Sequence, residues 1–217
     1  MPVEIARPAL AALPDGLLDR WRNIPVAVAV DLAPECQIAP EIRPLRAAGQ
    51  QPKLCARAVT AFCEAPDFGA VLQALPLVGA GQVLVIAAGG HARNAMIGDV
   101  LGGYLNSRGA TGIVCDGAIR DTGTLATFEG FAVYRRHVNP RGPVGAELGR
   151  VNTAVEVGGV TVHPGDLILG DDDGLAVLSP DRLAALIDAA EAKLRLEAEW
   201  TRKLAEGVEV GHIFGLD

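Results

Sequence analysis

Residues 82–115 contain the feature that most constrains the fold. Two apolar runs, QVLVIAA at residues 82–88 and TGIVC at residues 111–115, have the composition of buried strands, and glycines follow the first run. The segment between them carries apolar side chains at helical spacing, namely Ala95, Met96, Val100, Leu101, Tyr104 and Leu105. A strand, a helix over residues 92–108 and a second strand form a βαβ crossover. The sequence therefore predicts two parallel strands joined by a right-handed connection.

The glycines around Asp99 support a second interpretation of where this helix begins. Gly98, Asp99, Gly102 and Gly103 are all poor helix formers, and they fall within six residues. This clustering favours a helix that starts nearer Gly98, with the N–H groups of the following residues directed at a ligand. The alternative is a solvent-facing Asp99 within a closely packed, glycine-rich helix.

The rest of the chain supplies short strands and two terminal helices. Before the crossover, the patterns predict a helix over about residues 8–22, strands at 26–32 and 54–62, and a short helix at 67–75. After it come short β runs at residues 130–134, 151–155, 160–162, 166–169 and 175–178, with hairpin turns at residues 157–160 and 173–174. A long helix over about residues 181–206 follows, which Ser179 can cap and Pro180 can open. We expect one α/β domain over residues 1–217, with a βαβ core and a C-terminal helix.

Composition and charge exclude several classes of protein. Half of the 217 residues are apolar, which excludes a disordered chain. The net charge is −7, whereas a nucleic-acid-binding surface is rich in basic residues. No apolar run approaches the length of a membrane span, and the first residues lack a signal-peptide pattern. We expect a cytoplasmic protein with no membrane or nucleic-acid partner. The four cysteines form no C-x-x-C pair and are expected to behave as small apolar residues.

Two loops follow the predicted parallel strands, and ligands bind parallel sheets at the carboxyl ends of their strands. One loop contains Gly89 and Gly90, whose backbone N–H groups suit a carboxylate or phosphate; a tight turn without a ligand is the alternative. His91 is the one histidine placed to reach a pocket there. The histidines show no metal-ligand pairing such as H-x-x-x-H, and no G-x-S-x-G is present, so zinc-protease and serine-hydrolase interpretations lack support.

The second loop ends in the adjacent pair Arg120 and Asp121. Arginine offers a planar fork for a carboxylate or an enolate oxygen, and aspartate offers an oxygen ligand to a hard cation such as Mg²⁺. Together with Asp99 they would form a site for an anionic, metal-bound oxo acid. A local Arg–Asp ion pair is the structural alternative. The three acids at residues 171–173 lack the spacing of a calcium loop and are interpreted as a hairpin turn.

Three sequence blocks resemble the RraA-like family. They are GIVCDGAIRD at residues 112–121, GDVL at residues 98–101 and PGDLILGDDDG at residues 164–174. The resemblance covers about residues 26–178. It implies a swivelling β/β/α-type sandwich assembled as trimers or hexamers. The family includes class II (metal-dependent) aldolases of the 4-hydroxy-4-methyl-2-oxoglutarate and 4-carboxy-4-hydroxy-2-oxoadipate type, as well as non-catalytic regulators of ribonuclease E.

The resemblance also implies a role for each motif residue. Arg120 would bind pyruvate and stabilise its enolate, and Asp121 would be the direct protein ligand to Mg²⁺ or Mn²⁺. Asp99 would bind metal waters, and the segment that begins at Gly98 would bind substrate, with the amides of Val100 and Leu101 on the pyruvate carboxylate. A glutamate from a neighbouring subunit's C-terminal helix completes the outer shell in the family. Glu197 is the best match for it here and Glu199 the second choice.

The activity implied is cleavage of a 4-hydroxy-2-oxo acid to pyruvate and a second oxo acid, with oxaloacetate decarboxylation as a side activity. The alternatives are a ribonuclease-binding regulator and an enolate-forming lyase for a sugar acid. The long C-terminal helix favours the enzyme, because the regulators stop soon after the last hairpin.

The chain departs from the family pattern at a few positions. Residues 66–68 read PDF where the family usually has GDN, and Ala56 replaces a usual glycine, so the half of the site beyond pyruvate is not specified. Asp31 is matched to the acid of the family's S-D-A-L segment. Trp200, which lies among charges late in the final helix, predicts contact with another subunit.

Overall fold

A computed structural model describes residues 3–216 of the chain. Its strands are β1 Glu4–Ile5, β2 Arg43–Pro44, β3 Leu54–Phe62, β4 Gln82–Ile97, β5 Gly112–Ile119, β6 Ala132–Val138, β7 Arg150–Val151, β8 Val155–Val157, β9 Val160–Val162, β10 Leu167–Asp171 and β11 Gly174–Leu178. Its helices are α1 Leu17–Trp21, α2 Val26–Leu32, α3 Gly69–Ala74, α4 Asp99–Ser107, α5 Thr122–Leu125, α6 Pro180–Ala205 and α7 Val210–Phe214.

A mixed sheet of nine strands forms the centre of the fold. Along its main path the order is β1-β7-β3-β4-β5-β6-β2, and β10 joins the outer side of β3 and pairs with β11. Strands β4 and β5 are parallel, as the βαβ pattern predicts, and β3 and β6 extend the parallel set on either side. The two hairpins predicted from turn signals are confirmed as the antiparallel pairs β8–β9 and β10–β11. The mixed α/β class is therefore confirmed.

Strand β4 is twice as long as the sequence pattern suggests, and this corrects the predicted helix over residues 92–108. The strand does not stop at Gly89 and Gly90 but continues to Ile97, with three shifts of register against β5. Such bulges insert unpaired residues, which destroys the two-residue periodicity from which a strand is recognised. Helix α4 starts only at Asp99, as the second interpretation of the glycine-rich stretch predicted. Its inward residues are Gly102 and Leu105, whereas Val100 is 77% exposed.

Alternating side chains of the central strands divide the interior into two cores. Leu84 and Ile86 of β4 point to one face of the sheet, which α3, α4 and α5 cover. Val83 and Val85 point to the other face, which the β8–β9 hairpin covers. Burial on both faces explains why the run at residues 82–88 is apolar throughout.

A third core lies between the β10–β11 hairpin and helices α1, α2 and α6. Trp21 is fully buried there and donates a hydrogen bond from its indole Nε1 to the backbone oxygen of Leu183, at 3.2 Å. The predicted N-terminal helix over residues 8–22 is wrong in extent, because only Leu17–Trp21 is helical. The predicted C-terminal helix is confirmed as Pro180–Ala205, and the Ser179 side chain caps it by accepting a hydrogen bond from the N–H of Arg182.

Residues 26–32 form helix α2, not the predicted strand. Their alternating valines have a strand-like pattern, but Val26, Val28 and Ala29 are buried against the third core. The first N–H of the helix, that of Val26, donates to Oδ2 of Asp171 at 2.9 Å. A carboxylate 145 residues away in sequence thus caps this helix, which a local pattern cannot reveal. Asp171 also accepts from the N–H of Asp173, so the acidic run is a hairpin turn as predicted.

The four cysteines are free thiols, and burial decides their chemistry. Burial raises the pKa of Cys36 and of Cys55 to about 11, and that of Cys63 to about 12. Cys115 is completely buried, and burial raises its pKa well above the ordinary value. Because the thiolate is the reactive form, these residues act as core side chains and not as nucleophiles. Within residues 3–216, no helix is both long and apolar enough to cross a bilayer.

Candidate active site

The carboxyl ends of β4 and β5 lie side by side, and the backbone N–H of Arg120 donates to the carbonyl oxygen of Ile97 at 3.0 Å. This pairing brings the loop after β4 against the loop after β5. A pocket of about 290 Å³, its open mouth included, lies where they meet. It is lined by Phe68, Ala95, Met96, Ile97, Gly98, Asp99, Val100, Leu101, Arg120, Asp121 and Pro143. The set includes all six site residues that the sequence analysis expected from a single subunit, namely Gly98, Asp99, Val100, Leu101, Arg120 and Asp121.

Gly98 allows the two loops to approach closely. A Cβ atom at this position would overlap Oδ2 of Asp121 and would lie 2.9 Å from Cγ of Arg120. Both contacts are closer than real Cβ contacts, so a larger residue at position 98 would have to displace the two charged side chains. The glycine at the head of the GDVL segment therefore allows Arg120 and Asp121 to occupy their places at the start of α4.

Helix α4 directs its first turn at the pocket. The N–H groups of Asp99, Val100 and Leu101 have no partner inside the helix, because they belong to its first turn. The N–H of Asp99 lies 3.4 Å from Oδ2 of Asp121. Free amides and the positive end of the helix dipole favour an anion at this point.

Arg120 and Asp121 form a local ion pair and also line the pocket, so the two interpretations of this motif are compatible. Nε of Arg120 lies 3.3 Å from Oδ2 of Asp121, and both side chains are about two-fifths exposed. Asp121 adopts the left-handed conformation, with φ 55° and ψ 38°, as the residue before α5. Non-glycine residues held in this conformation carry a small energetic cost and cluster at functional sites.

The sequence analysis missed two residues that line the pocket. They are Phe68 and Pro143, which come from loops far from the recognised motifs. Gly142 also lies close to the site, because a Cβ there would be 2.8 Å from Nη1 of Arg120. The one sequence feature that pointed to this part of the pocket was PDF at residues 66–68, where the family usually has GDN.

The carboxylates fit a hard divalent cation. Among residues 3–216 no group of three or more His, Cys, Asp and Glu side chains is placed to hold a metal ion, which argues against a closed zinc-type cage. Mg²⁺ needs less from the protein, since it keeps several waters and is bound by one or two carboxylates together with substrate oxygens. Asp121 and Asp99, both at the pocket, provide such a partial oxygen set.

Glu197 does not line the pocket of its own chain. It lies on α6, where its Oε1 is 3.9 Å from Nζ of Lys193, and that ammonium also contacts Asp31 at 2.6 Å. Glu199 pairs with Lys203 at 2.7 Å. The contribution of either glutamate to a neighbour's site stays a prediction. His91 does not line this pocket either, and its Nε2 lies 3.3 Å from Oδ1 of Asn94.

The comparison with protein families agrees with the motif residues. A family model described as RraA-like, Aldolase/RraA, matches residues 26–177, well over half of the chain. The chain belongs to the RraA-like family. The matched region contains the whole pocket, whereas α6 and α7 lie beyond it.

Similar proteins carry names of different kinds, aldolase and RNA-processing inhibitor among them. A protein of Halalkalibacterium halodurans, provisionally named a 4-hydroxy-4-methyl-2-oxoglutarate aldolase, is 29% identical over 88% of this chain and 90% of its own length. The RNA-processing inhibitor RraA from Thermus thermophilis superposes with a TM-score of 0.63 at 30% identity, over 71% of this chain and 92% of its own. Streptomyces coelicolor RraAS2, described as an unusual member of the RNase ES inhibitor RraA protein family, superposes with a TM-score of 0.76 at 26% identity, over 88% of this chain and 98% of its own.

Gly98→Ala tests the close packing of the two loops. The added methyl group would displace the side chains of Asp121 and Arg120, so we expect the variant to fold but to lose binding of pyruvate or oxalate, measured calorimetrically with Mg²⁺ present. Gly103→Ala is the matched control, because a Cβ there meets only Phe128, at an ordinary 3.7 Å. Wild-type affinity in a folded Gly98→Ala protein would contradict this account of the site.

Proposed function

We propose that the chain is a divalent-metal-dependent pyruvate aldolase. It would cleave a 4-hydroxy-2-oxo acid of the 4-hydroxy-4-methyl-2-oxoglutarate type to pyruvate and a second oxo acid. The observation that carries the proposal is the meeting of Arg120, Asp121 and the free amides of α4 around one pocket. The aldolase names of relatives support the same reaction class. We also assign the protein to the cytoplasm, since its four unpaired thiols suit a reducing compartment.

The amides of Val100 and Leu101 would bind the carboxylate of the pyruvoyl group, because they lie at the positive end of a helix. The guanidinium of Arg120 would then lie at the 2-oxo oxygen. As the bond between C3 and C4 breaks, its electron pair moves towards that oxygen to form pyruvate enolate, and the 4-hydroxyl loses its proton to become the new carbonyl. Arg120 supplies a fixed charge where negative charge develops in the transition state, which lowers the barrier.

Asp121 would hold the cation directly, and Asp99 would hold it through water. A bound Mg²⁺ or Mn²⁺ would supply Lewis-acid polarisation of the 2-oxo group. Among the residues that line the pocket there is no histidine or lysine, so we assign the proton transfers to water in the pocket. Decarboxylation of oxaloacetate passes through the same enolate, and we therefore expect it as a side activity.

A non-catalytic regulator of the ribonuclease E type is the second candidate, because RraA inhibitors share this fold. A related lyase for a sugar acid is the third. The regulator would bind a protein surface and would not need Arg120 in a pocket. A protein that releases pyruvate from no 4-hydroxy-2-oxo acid, with or without Mg²⁺, would favour the regulator.

We further propose a homotrimer or homohexamer with sites shared between subunits. The second half of α6 extends beyond the third core, and α7 folds back on it, with the Trp200 and Phe214 rings 5.1 Å apart. Apolar side chains stay exposed along this end of the chain, including Leu196, Val210 and Phe214. A neighbouring subunit would cover them and would receive Glu197 near its own Asp121.

Metal removal tests the role of the two carboxylates. We expect dialysis against EDTA to abolish pyruvate release, and Mg²⁺ or Mn²⁺ to restore it, because Asp121 and Asp99 provide only oxygen ligands. The measurement is a lactate-dehydrogenase-coupled assay on a panel of 4-hydroxy-2-oxo acids and oxaloacetate. Turnover that survives complete metal removal would exclude the mechanism.

Arg120→Lys tests the guanidinium fork. The variant keeps the charge but loses the planar pair of donors, so we expect kcat to fall about a hundred- to a thousandfold with the fold intact. Arg141→Lys is the control, because Arg141 is exposed next to Gly142 but does not line the pocket. Equal kcat values for the two variants would contradict the proposal that Arg120 stabilises the enolate.

Mixing two inactive variants tests whether sites are shared. Arg120→Lys and Glu197→Gln subunits should each have strongly reduced activity alone, but co-refolded hybrids should regain activity, because some sites combine an intact Arg120 with an intact Glu197 of the partner subunit. Glu199→Gln serves as the control and should keep its activity. No recovery in hybrids of confirmed mixed composition, or a fully active monomer by light scattering, would refute the shared site.

A further inference from the structure

We propose that Asp67 is a positioning residue for this pocket. Residues 142–148, which we name the strap, contribute Pro143 to the lining of the pocket, and Asp67 holds the strap in place from the loop at residues 66–69, which contributes Phe68. The kinetic part of this inference rests on the proposed aldolase function; the structural part does not.

The carboxylate of Asp67 is a buried acceptor for three backbone N–H groups. Oδ1 accepts from Gly69 at 2.7 Å and from Leu148 at 3.0 Å, and Oδ2 accepts from Glu147 at 3.1 Å. The residue is only 6% exposed. Burial by itself raises the pKa of Asp67, but the three hydrogen bonds outweigh it and hold the pKa below its ordinary value. The group is therefore a charged anchor at neutral pH, and two of its three donors belong to the strap.

Two backbone hydrogen bonds also join the strap to the loop at residues 66–69, one donated from each side. The N–H of Val144 in the strap donates to Pro66 at 2.9 Å, and the N–H of Phe68 donates to Gly145 in the strap at 3.3 Å. The backbone of the strap also passes so close that a Cβ at Gly145 would overlap Oδ2 of Asp67. The strap and the loop at residues 66–69 thus form one unit around a single carboxylate.

This unit reaches the proposed catalytic groups. Phe68 follows Asp67 directly and lines the pocket, and Pro143 of the strap lines it as well. Gly142 packs against the Arg120 guanidinium, and its carbonyl oxygen accepts a hydrogen bond from Nδ2 of Asn94 at 2.6 Å. Asp67 itself does not line the pocket. It can act on substrate only through the position of these neighbours.

Asp67→Asn tests the inference, because the amide keeps the size but offers one acceptor oxygen and turns an NH₂ group towards N–H donors. Asp171→Asn is the matched control: Asp171 also accepts two backbone N–H bonds, from Val26 and Asp173, at a place outside the pocket. We expect Asp67→Asn to raise KM for the 2-oxo acid about tenfold or more, since small displacements of binding groups are costly. The control should leave KM unchanged even if both variants lose similar thermal stability.

Hydrogen–deuterium exchange gives a readout that needs no turnover. In Asp67→Asn, peptides covering the strap and residues 97–101 should exchange faster than in the wild type, whereas in the control they should not. Faster exchange of the strap with an unchanged pocket peptide, or an unchanged KM in a folded variant, would overturn the inference. If Asp67→Asn does not fold, Gly145→Ala takes its place, because a Cβ at Gly145 would push the strap away from Asp67. This variant must then show both the raised KM and the faster exchange of the strap and of residues 97–101. A wild-type protein without aldolase activity would refute the proposed function, and the exchange experiment would still decide the role of Asp67.

Discussion

The hydrogen bond from the N–H of Arg120 to the carbonyl oxygen of Ile97 joins the carboxyl ends of β4 and β5 at the pocket. It fixes the register at which two loops meet, so that Gly98 lies against the side chains of Arg120 and Asp121. A slip of one residue would turn the side chains of the paired strands to opposite faces and separate these groups. The pocket, the start of α4 and the ion pair between Arg120 and Asp121 all depend on how β4 and β5 pair at their carboxyl ends.

The bulged second half of β4 makes that pairing possible. Parallel strands of ordinary length would end near Ala88, well short of the level at which Ile119 ends β5. The additional residues with their three register shifts carry the strand to Ile97 and place α4 beside the end of β5. Bulges of this kind occur next to active sites, where they direct the following residues. Here they direct the first turn of α4 at the pocket.

The fold is shared by relatives named as aldolases and by RNA-processing inhibitors, so the architecture does not decide the activity. What distinguishes an enzyme must lie in the groups around the pocket. In this chain those groups come from four loops, and the buried Asp67 carboxylate connects two of them. The rigid sheet positions Arg120 and Asp121, whereas Phe68 and Pro143 depend on hydrogen bonds between loops.

The sequence by itself determined the parallel βαβ core, the two hairpins and the capped C-terminal helix, because each has a local pattern of burial or a turn signal. It also predicted Arg120 and Asp121, which follow a buried strand, and residues 98–101, where glycines interrupt the helical pattern, and all of these residues line the pocket. Only the tertiary structure decided that residues 26–32 are helical and that β4 continues to Ile97. The helix at residues 26–32 is capped by a distant Asp171, and the bulges in β4 erase its periodicity. The wall formed by Phe68 and Pro143 likewise arises from contacts between residues about 75 positions apart, which no local pattern encodes.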